Sequence, residues 1–221
     1  HGSVMKLFRQ YLLVGGMPQA VSAFLQSGSF VEVDRVKRDI LHLYQSDIAR
    51  FAKGYESKVL RIFDEIPSQL SKHEKKFSLN SLSKEARFRE YEDAFVWLSE
   101  AMIVNSCFNA SDPQVGLPLH KDSLSMKLYM ADTGLLLSHA FDEVSGMNQK
   151  VAQHIVEDRL EFNYGMIFEN IVAQMLRAQN KSLYFYSRSD REDSRNTMEI
   201  DFLIHDRLRP GRISPVEVKS S

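Results

Sequence analysis

The chain has 221 residues, 43% of them hydrophobic, and its 28 basic and 29 acidic side chains give a formal net charge of −1 at pH 7. This composition is ordinary for a globular protein and excludes a disordered, collagen-like or coiled-coil chain. A net charge so close to zero creates no overall field that would hold nucleic acid or an anionic membrane, so such a partner would need a local basic patch.

Two features bear on the cellular compartment. The longest uncharged run, residues 10–31, contains glycines, a proline and several polar residues, and therefore predicts no membrane span and no membrane partner. The single cysteine, Cys107, lies in an apolar run and cannot form a disulfide within the chain. With no secretory leader in the sequence, we expect a cytoplasmic protein in which Cys107 is buried and inert.

Residues 4–57 have the periodicity of α-helices. Two glycines and a proline at 15–18 predict a turn, with Pro18 in the first turn of the following helix. Between residues 31 and 51, apolar side chains recur about every 3.6 positions, which predicts a long amphipathic helix. We interpret this part as a helical segment.

Residues 58–140 have the element order of a winged helix-turn-helix. Helical patterns at 59–70, 78–86 and 88–102 are followed by strand-like runs at 101–108 and 126–131. The order is therefore three helices and then a hairpin.

The third helix of such a fold can read DNA or dock a protein. In a DNA-binding winged helix it enters the major groove, which would bring Arg87 and Arg89 to the phosphates. Glu90, Glu92 and Asp93 lie in the same stretch and would repel phosphate, so protein docking is an equal alternative.

The third part, residues 141–221, contains the candidate metal-binding and catalytic residues. A helical stripe at 164–176 precedes strand-like runs at 183–187, 198–204 and 215–220. Strand alternation places Glu199 and Asp201 on the face opposite Met198, Ile200, Phe202 and Ile204, and Glu217 on the same face as Lys219.

If the two apolar faces coincide, Asp201, Glu217 and Lys219 converge. Carboxylate oxygens can hold Mg²⁺ or Mn²⁺, and a lysine nearby can approach a scissile phosphate. Glu169, at the edge of its helix's apolar stripe, can join them. The same alternation also suits a half-buried hairpin whose charges merely form cross-strand ion pairs.

Several motifs in one order resemble the C-terminal domain of unknown function of bacterial and archaeal AAA-type ATP-binding proteins. They are YLLVGGMP (11–18), Asp47-Ile48, KLYMADTGL (127–135), the helix 165–170, EIDFLI (199–204) and VEVK (216–219). The last three resemble a PD-(D/E)xK nuclease-like module.

The resemblance implies an α+β fold: a helical N-terminal part with a winged helix-turn-helix, then a partial, truncated PD-(D/E)xK restriction-endonuclease-like α/β module. By motif position, Asp201 and Glu217 resemble metal ligands for Mg or Mn, Lys219 the catalytic lysine and Glu169 the acidic residue of the helix. Family members carry an N-terminal P-loop ATPase, and this chain contains no Gly-x-x-x-x-Gly-Lys-Ser/Thr, so ATP would bind only in that missing module.

Two functions are therefore expected. One is an accessory fragment of an AAA-type ATP-binding protein that binds DNA or a partner, with metal-dependent nuclease chemistry in the intact protein. The other is a non-catalytic regulatory module that docks a protein or the ATPase module.

Overall fold

A computed structural model describes residues 2–141, 149–157, 164–188, 197–206, 209 and 211–219. Within this part the chain forms eight α-helices and five β-strands. The helices are α1 (Gly2–Val14), α2 (Pro18–Ser27), α3 (Phe30–Phe51), α4 (Glu56–Ser71), α5 (Phe88–Glu100), α6 (Thr133–Ala140), α7 (Gln149–Val156) and α8 (Tyr164–Ala178). The strands are β1 (Val104–Ala110), β2 (Lys121–Met130), β3 (Leu183–Arg188), β4 (Met198–His205) and β5 (Ile213–Val216).

All five strands form one mixed sheet in the order β2-β1-β3-β4-β5. β1 and β2 pair antiparallel, as do β3 with β4 and β4 with β5, whereas β1 and β3 are parallel. The hairpin that follows α5 is thus continuous with the strands near the end of the chain.

Helices α5 and α8 cover opposite faces of this sheet. Ser106 of β1 contacts Ser99 of α5, with the hydroxyl oxygens 2.7 Å apart. On the other face, the Tyr129 hydroxyl of β2 donates to Glu169 of α8. Neighbouring strand residues point to opposite faces, so the hairpin has an α5 side and an α8 side.

The glycine turn after α1 is fixed against α6. Asp132 caps α6 by accepting from the Leu135 N–H at 2.9 Å, and its second oxygen accepts from the Gly16 N–H at 2.6 Å. A Cβ on Gly134 would lie 2.6 Å from the Gly15 Cα, so the two backbones touch only because both residues lack a side chain.

The predicted α+β class is confirmed, and one predicted helix is wrong. Of 78–86, only Leu79–Ser81 is helical, as a single 3₁₀ turn. Three serines and one asparagine occupy four of these nine positions, and their side chains compete for backbone hydrogen bonds and favour turns. The domain boundaries at 57/58 and 140/141 stay predictions; the second lies beside residues 142–148, outside the described part.

No described helix is both long enough and apolar enough to cross a bilayer. The expected burial of Cys107 is confirmed, since its side chain is fully covered. That burial raises the pKa of the thiol, and the nearby Lys127 ammonium opposes the rise only in part.

Candidate functional site

Acidic side chains from α8, β4 and the residues after β5 line a cleft of about 530 Å³ on the α8 side of the sheet. We call it the acidic cleft. Its lining residues are Ser71, Lys72, His73, Lys75, Glu169, Glu199, Asp201, Glu217 and Val218.

Glu169 lies at the base of the acidic cleft and is only 4% exposed. Its Oε1 lies 2.6 Å from the Nζ of Lys75, and its Oε2 accepts a 2.9 Å hydrogen bond from Tyr129. Burial and the adjacent Glu169 carboxylate raise the pKa of Tyr129 well above its ordinary value, so this phenol acts as a donor at neutral pH.

Asp201 reaches the cleft through a β-bulge. The register of β3 against β4 shifts so that Phe185 of β3 lies opposite both Asp201 and Phe202 of β4. A bulge lets two successive residues serve the same face. Phe202 packs against Tyr129 with ring centroids 5.6 Å apart, and Asp201 Oδ1 lies 3.7 Å from Lys127 Nζ.

Strict alternation along 198–204 is therefore wrong. Phe202 belongs to the main core, whereas Ile200 packs in a small separate cluster with Leu203. Glu199 and Asp201 do contact the same ammonium, as their shared face predicted. With the bulge, Glu199 and Asp201 still share one face, and Phe202 lies on that face as well.

Lys127 of β2 is the cation at the centre of the carboxylates. Its side chain is 1% exposed, and its Nζ lies 2.8 Å from Glu199 Oε1, 3.6 Å from Glu169 Oε2 and 3.7 Å from Asp201 Oδ1. Burial lowers the pKa of this lysine, but the three carboxylates together outweigh burial and raise it above its ordinary value. Lys127 is therefore charged at any physiological pH.

Glu217 lines the cleft at its exposed edge, whereas Lys219 is exposed and is not one of the lining residues. β5 ends at Val216, so both follow the last paired residue and strand alternation does not govern them. Desolvation, then the neighbouring Asp201 carboxylate, raises the pKa of Glu217, and Lys219 opposes the rise. The Val218 N–H donates to Asp201 Oδ2 at 2.9 Å, which ties this segment to the cleft.

A divalent metal does not fit between Glu169, Glu199 and Asp201 while Lys127 lies among them. Mg²⁺ requires oxygen ligands at about 2.0–2.1 Å, and here the carboxylates surround an ammonium. Across the described residues, no group of three or more His, Cys, Asp or Glu side chains is placed to hold a metal ion. That Asp201 and Glu217 are metal ligands, and that Lys219 and Glu169 are catalytic, stays a prediction.

Arg87 and Arg89 lie at the start of α5, both are exposed, and neither lines the acidic cleft. Arg87 precedes the first helical residue and makes no side-chain cap. Their contact with DNA also stays a prediction.

Sequence reasoning missed Lys127 and Lys75, whose ammoniums contact the carboxylates of the cleft, as site residues. A signal for the first was present: Lys127 is the only charge in the run 124–131, which has strand character. A lone charge in a buried strand requires an opposite charge beside it. Lys75 carried no such signal, because it lies in a short stretch rich in charged residues.

Two family profiles match the chain. A family described as Domain of unknown function (DUF8612) matches residues 5–148, about two thirds of the chain. The chain belongs to this family. A second family, Domain of unknown function (DUF4143), matches residues 164–221. No curated protein and no solved structure gave a significant match.

The two matched stretches supply side chains of opposite charge to the acidic cleft. Lys75 and Lys127 lie in the DUF8612 region, whereas Glu169, Glu199, Asp201 and Glu217 lie in the DUF4143 region. One region thus supplies the ammoniums, of which that of Lys127 is buried, and the other supplies the carboxylates.

Proposed function

We propose that this chain is an accessory region of an AAA-type ATP-binding protein and that it acts by binding a partner protein through α5. The link to AAA-type proteins rests on the ordered motifs from residue 11 to residue 219, and the match of residues 164–221 to DUF4143 supports it.

The proposal rests on the charges of the exposed face of α5. Tyr91, Ala94, Phe95 and Leu98 are buried beneath it, while Glu90, Glu92, Asp93 and Glu100 are exposed. Four carboxylates beside only two arginines repel a phosphate backbone and attract a basic protein surface. A partner with a complementary basic patch fits this face better than DNA does.

Charge reversal on α5 tests this role in the intact protein. We expect Glu92→Lys with Asp93→Lys to weaken association with the ATPase module roughly tenfold or more, because both attractive charges become repulsive. Association is measured by calorimetry between the 221-residue chain and the separately produced ATPase module, and the ATP hydrolysis rate of the intact protein is measured in parallel.

The matched control is Asp39→Lys with Asp47→Lys, which reverses two exposed charges on α3. This control, Asp201→Ala and Lys219→Ala should all leave association unchanged. Equal losses from the α5 pair and from the cleft variants would defeat the proposal.

A second candidate is metal-dependent cleavage of nucleic acid by the intact protein. The observation that favours it is that Glu169, Asp201 and Glu217, the acids of the nuclease-like motif, all line one cleft. This candidate requires Lys127 to leave the carboxylates. Incubating the intact protein with single- and double-stranded DNA and Mg²⁺ or Mn²⁺ tests it: cleavage lost in Lys219→Ala would establish it, and absence of both binding and cleavage would remove it.

A further inference from the structure

We infer that a groove beside α5 binds an extended segment of the partner protein in which two basic residues flank a large apolar residue at alternate positions, basic-x-apolar-x-basic. The inference rests on the partner-binding role proposed for α5 and names the chemistry of the partner at that helix. The groove is on the α5 side of the sheet, opposite the acidic cleft.

The groove lies between α5 and strands β1 and β3 and has a volume of about 390 Å³. We call it the α5 groove. Its lining includes Glu92, Phe95, Val96 and Glu100 of α5, Phe108 of β1 and Tyr184 of β3. Aromatic and aliphatic groups thus share the groove with a carboxylate toward each end of the helix.

The middle of the α5 groove presents apolar surface to solvent. Val96 is 48% exposed, although it follows the buried Phe95 on the helix. The Phe95 ring stacks on that of Phe88 with centroids 5.7 Å apart, and Phe108 is half-buried. A large apolar side chain of a partner would cover these groups and remove their surface from water, which favours binding.

The carboxylates of the groove lack a counter-charge within the described part of the chain. Glu92 and Glu100 are exposed, and neither forms an ion pair or a side-chain hydrogen bond with a described residue. The two cations of the lining contact groups of the chain itself. Lys121 Nζ lies 3.7 Å from the centre of the Phe108 ring, and Arg177 donates to a backbone carbonyl at 3.3 Å. The unpaired charge on the α5 wall is therefore negative and attracts basic side chains.

The spacing of the two carboxylates favours an extended segment. Glu92 and Glu100 are eight residues apart on α5, which corresponds to about 12 Å along the helix axis. An extended chain rises about 3.3 Å per residue, so its positions 1 and 5 are about 13 Å apart, and positions 1, 3 and 5 point to the same side. Basic residues at positions 1 and 5 can therefore reach both carboxylates while an apolar residue at position 3 enters the groove between them.

The experiment measures the binding of dye-labelled synthetic peptides to the wild-type 221-residue chain by fluorescence anisotropy. The probe contains Lys-Ser-Trp-Ser-Lys, and its matched control, Lys-Trp-Ser-Ser-Lys, has the same composition with the tryptophan moved by one position. A second control, Glu-Ser-Trp-Ser-Glu, reverses the charges.

We expect each control peptide to bind roughly tenfold or more weakly than the probe. The first control turns its apolar side chain away from the groove, and the second is repelled by Glu92 and Glu100. Binding of the probe no tighter than that of either control would overturn the inference.

Groove-filling variants separate this inference from the proposed role of α5. Ser182→Trp and Ser123→Trp each add a ring at an exposed residue of the groove and leave the charges of α5 intact, and Ser46→Trp on α3 is the matched control. Both groove variants, but not the control, should weaken probe binding and association with the ATPase module roughly fivefold or more. Loss of association in Glu92→Lys with Asp93→Lys but in neither groove variant would retain the partner role and overturn the inference. Unchanged association in all of these variants would remove both.

Discussion

Two buried lysines of this chain have opposite pKa shifts because their partners differ. Lys127 contacts three carboxylates, which raise the pKa of its ammonium. Lys37 of α3 instead donates to two backbone carbonyls, those of Leu13 at 2.6 Å and Gly134 at 3.1 Å. Burial lowers its pKa to about 8, and the more distant Asp34 carboxylate offsets this only in part.

The first prediction concerns the pH dependence of stability that Lys37 confers. In the unfolded chain this lysine has its ordinary pKa of 10.5, so burying the charged form costs about 3 kcal/mol below pH 8. That cost disappears as pH rises from 8 through 10.5, because the unfolded state then binds more protons than the folded state. With respect to Lys37, the free energy of unfolding is therefore highest above pH 10.5, and this stability is lost as the pH falls through the folded-state pKa of about 8.

Urea unfolding of the wild type and of Lys37→Met at several pH values measures the effect. The free energy of unfolding of the wild type should rise relative to that of the variant by roughly 2 kcal/mol between pH 7 and pH 10. The Met side chain removes the titration while keeping the volume. A difference that stays constant over this range would show that Lys37 titrates normally.

At the scale of elements, the proline within α4 is compensated by a histidine of α6. Pro67 has no N–H, so the carbonyl of Phe63, four residues earlier, loses its helical donor. His139 Nε2 lies 2.9 Å from that carbonyl oxygen, and its ring stacks on the Phe63 ring with centroids 4.5 Å apart. Burial lowers the pKa of His139, which favours the neutral ring with its proton on Nε2.

A double-mutant cycle tests this compensation. His139→Phe should cost about 1–3 kcal/mol in the wild type, because it leaves a buried carbonyl without a donor. In a Pro67→Ala background the cost should fall by half or more, since the introduced alanine supplies the missing N–H. Chemical denaturation of the four proteins gives the coupling. An equal cost of His139→Phe in both backgrounds would mean that the histidine does not replace the helical bond.

Element periodicity in the sequence predicts most of the fold. α3 and α8 lie where apolar side chains recur every 3.6 positions. The bulge at Asp201 and the end of β5 at Val216 have no local signal, because both depend on which strand lies alongside. Lys127 contacts acids that are 42 to 74 residues away in the sequence. This contact likewise depends on the tertiary fold and has no local signal.

At the scale of the whole molecule, one sheet joins the two matched regions. β1, in the DUF8612 region, pairs parallel with β3, in the DUF4143 region. The Ser187 N–H also donates to the Asn109 side chain at 2.9 Å. Each region therefore supplies a strand that pairs with a strand of the other. In addition, Lys75 and Lys127 of the first region neutralise carboxylates of the second.

This continuity predicts that the two regions unfold together. Trp97, the only tryptophan, reports on α5 in the first region, and hydrogen exchange of β4 amides reports on the second. The global free energy from Trp97 fluorescence should equal the opening free energy of the slowest β4 amides. A markedly smaller value for β4 would show that residues 164–221 open separately.

The central claim is that the Lys127 ammonium, and not a metal ion, lies among the carboxylates of the acidic cleft. Manganese anomalous diffraction from wild-type crystals soaked in MnCl₂ tests it most directly. We predict the Lys127 ammonium beside Glu169, Glu199 and Asp201, and no manganese peak within about 2.6 Å of their carboxylate oxygens. A manganese peak at that place, with Lys127 displaced, would contradict the claim.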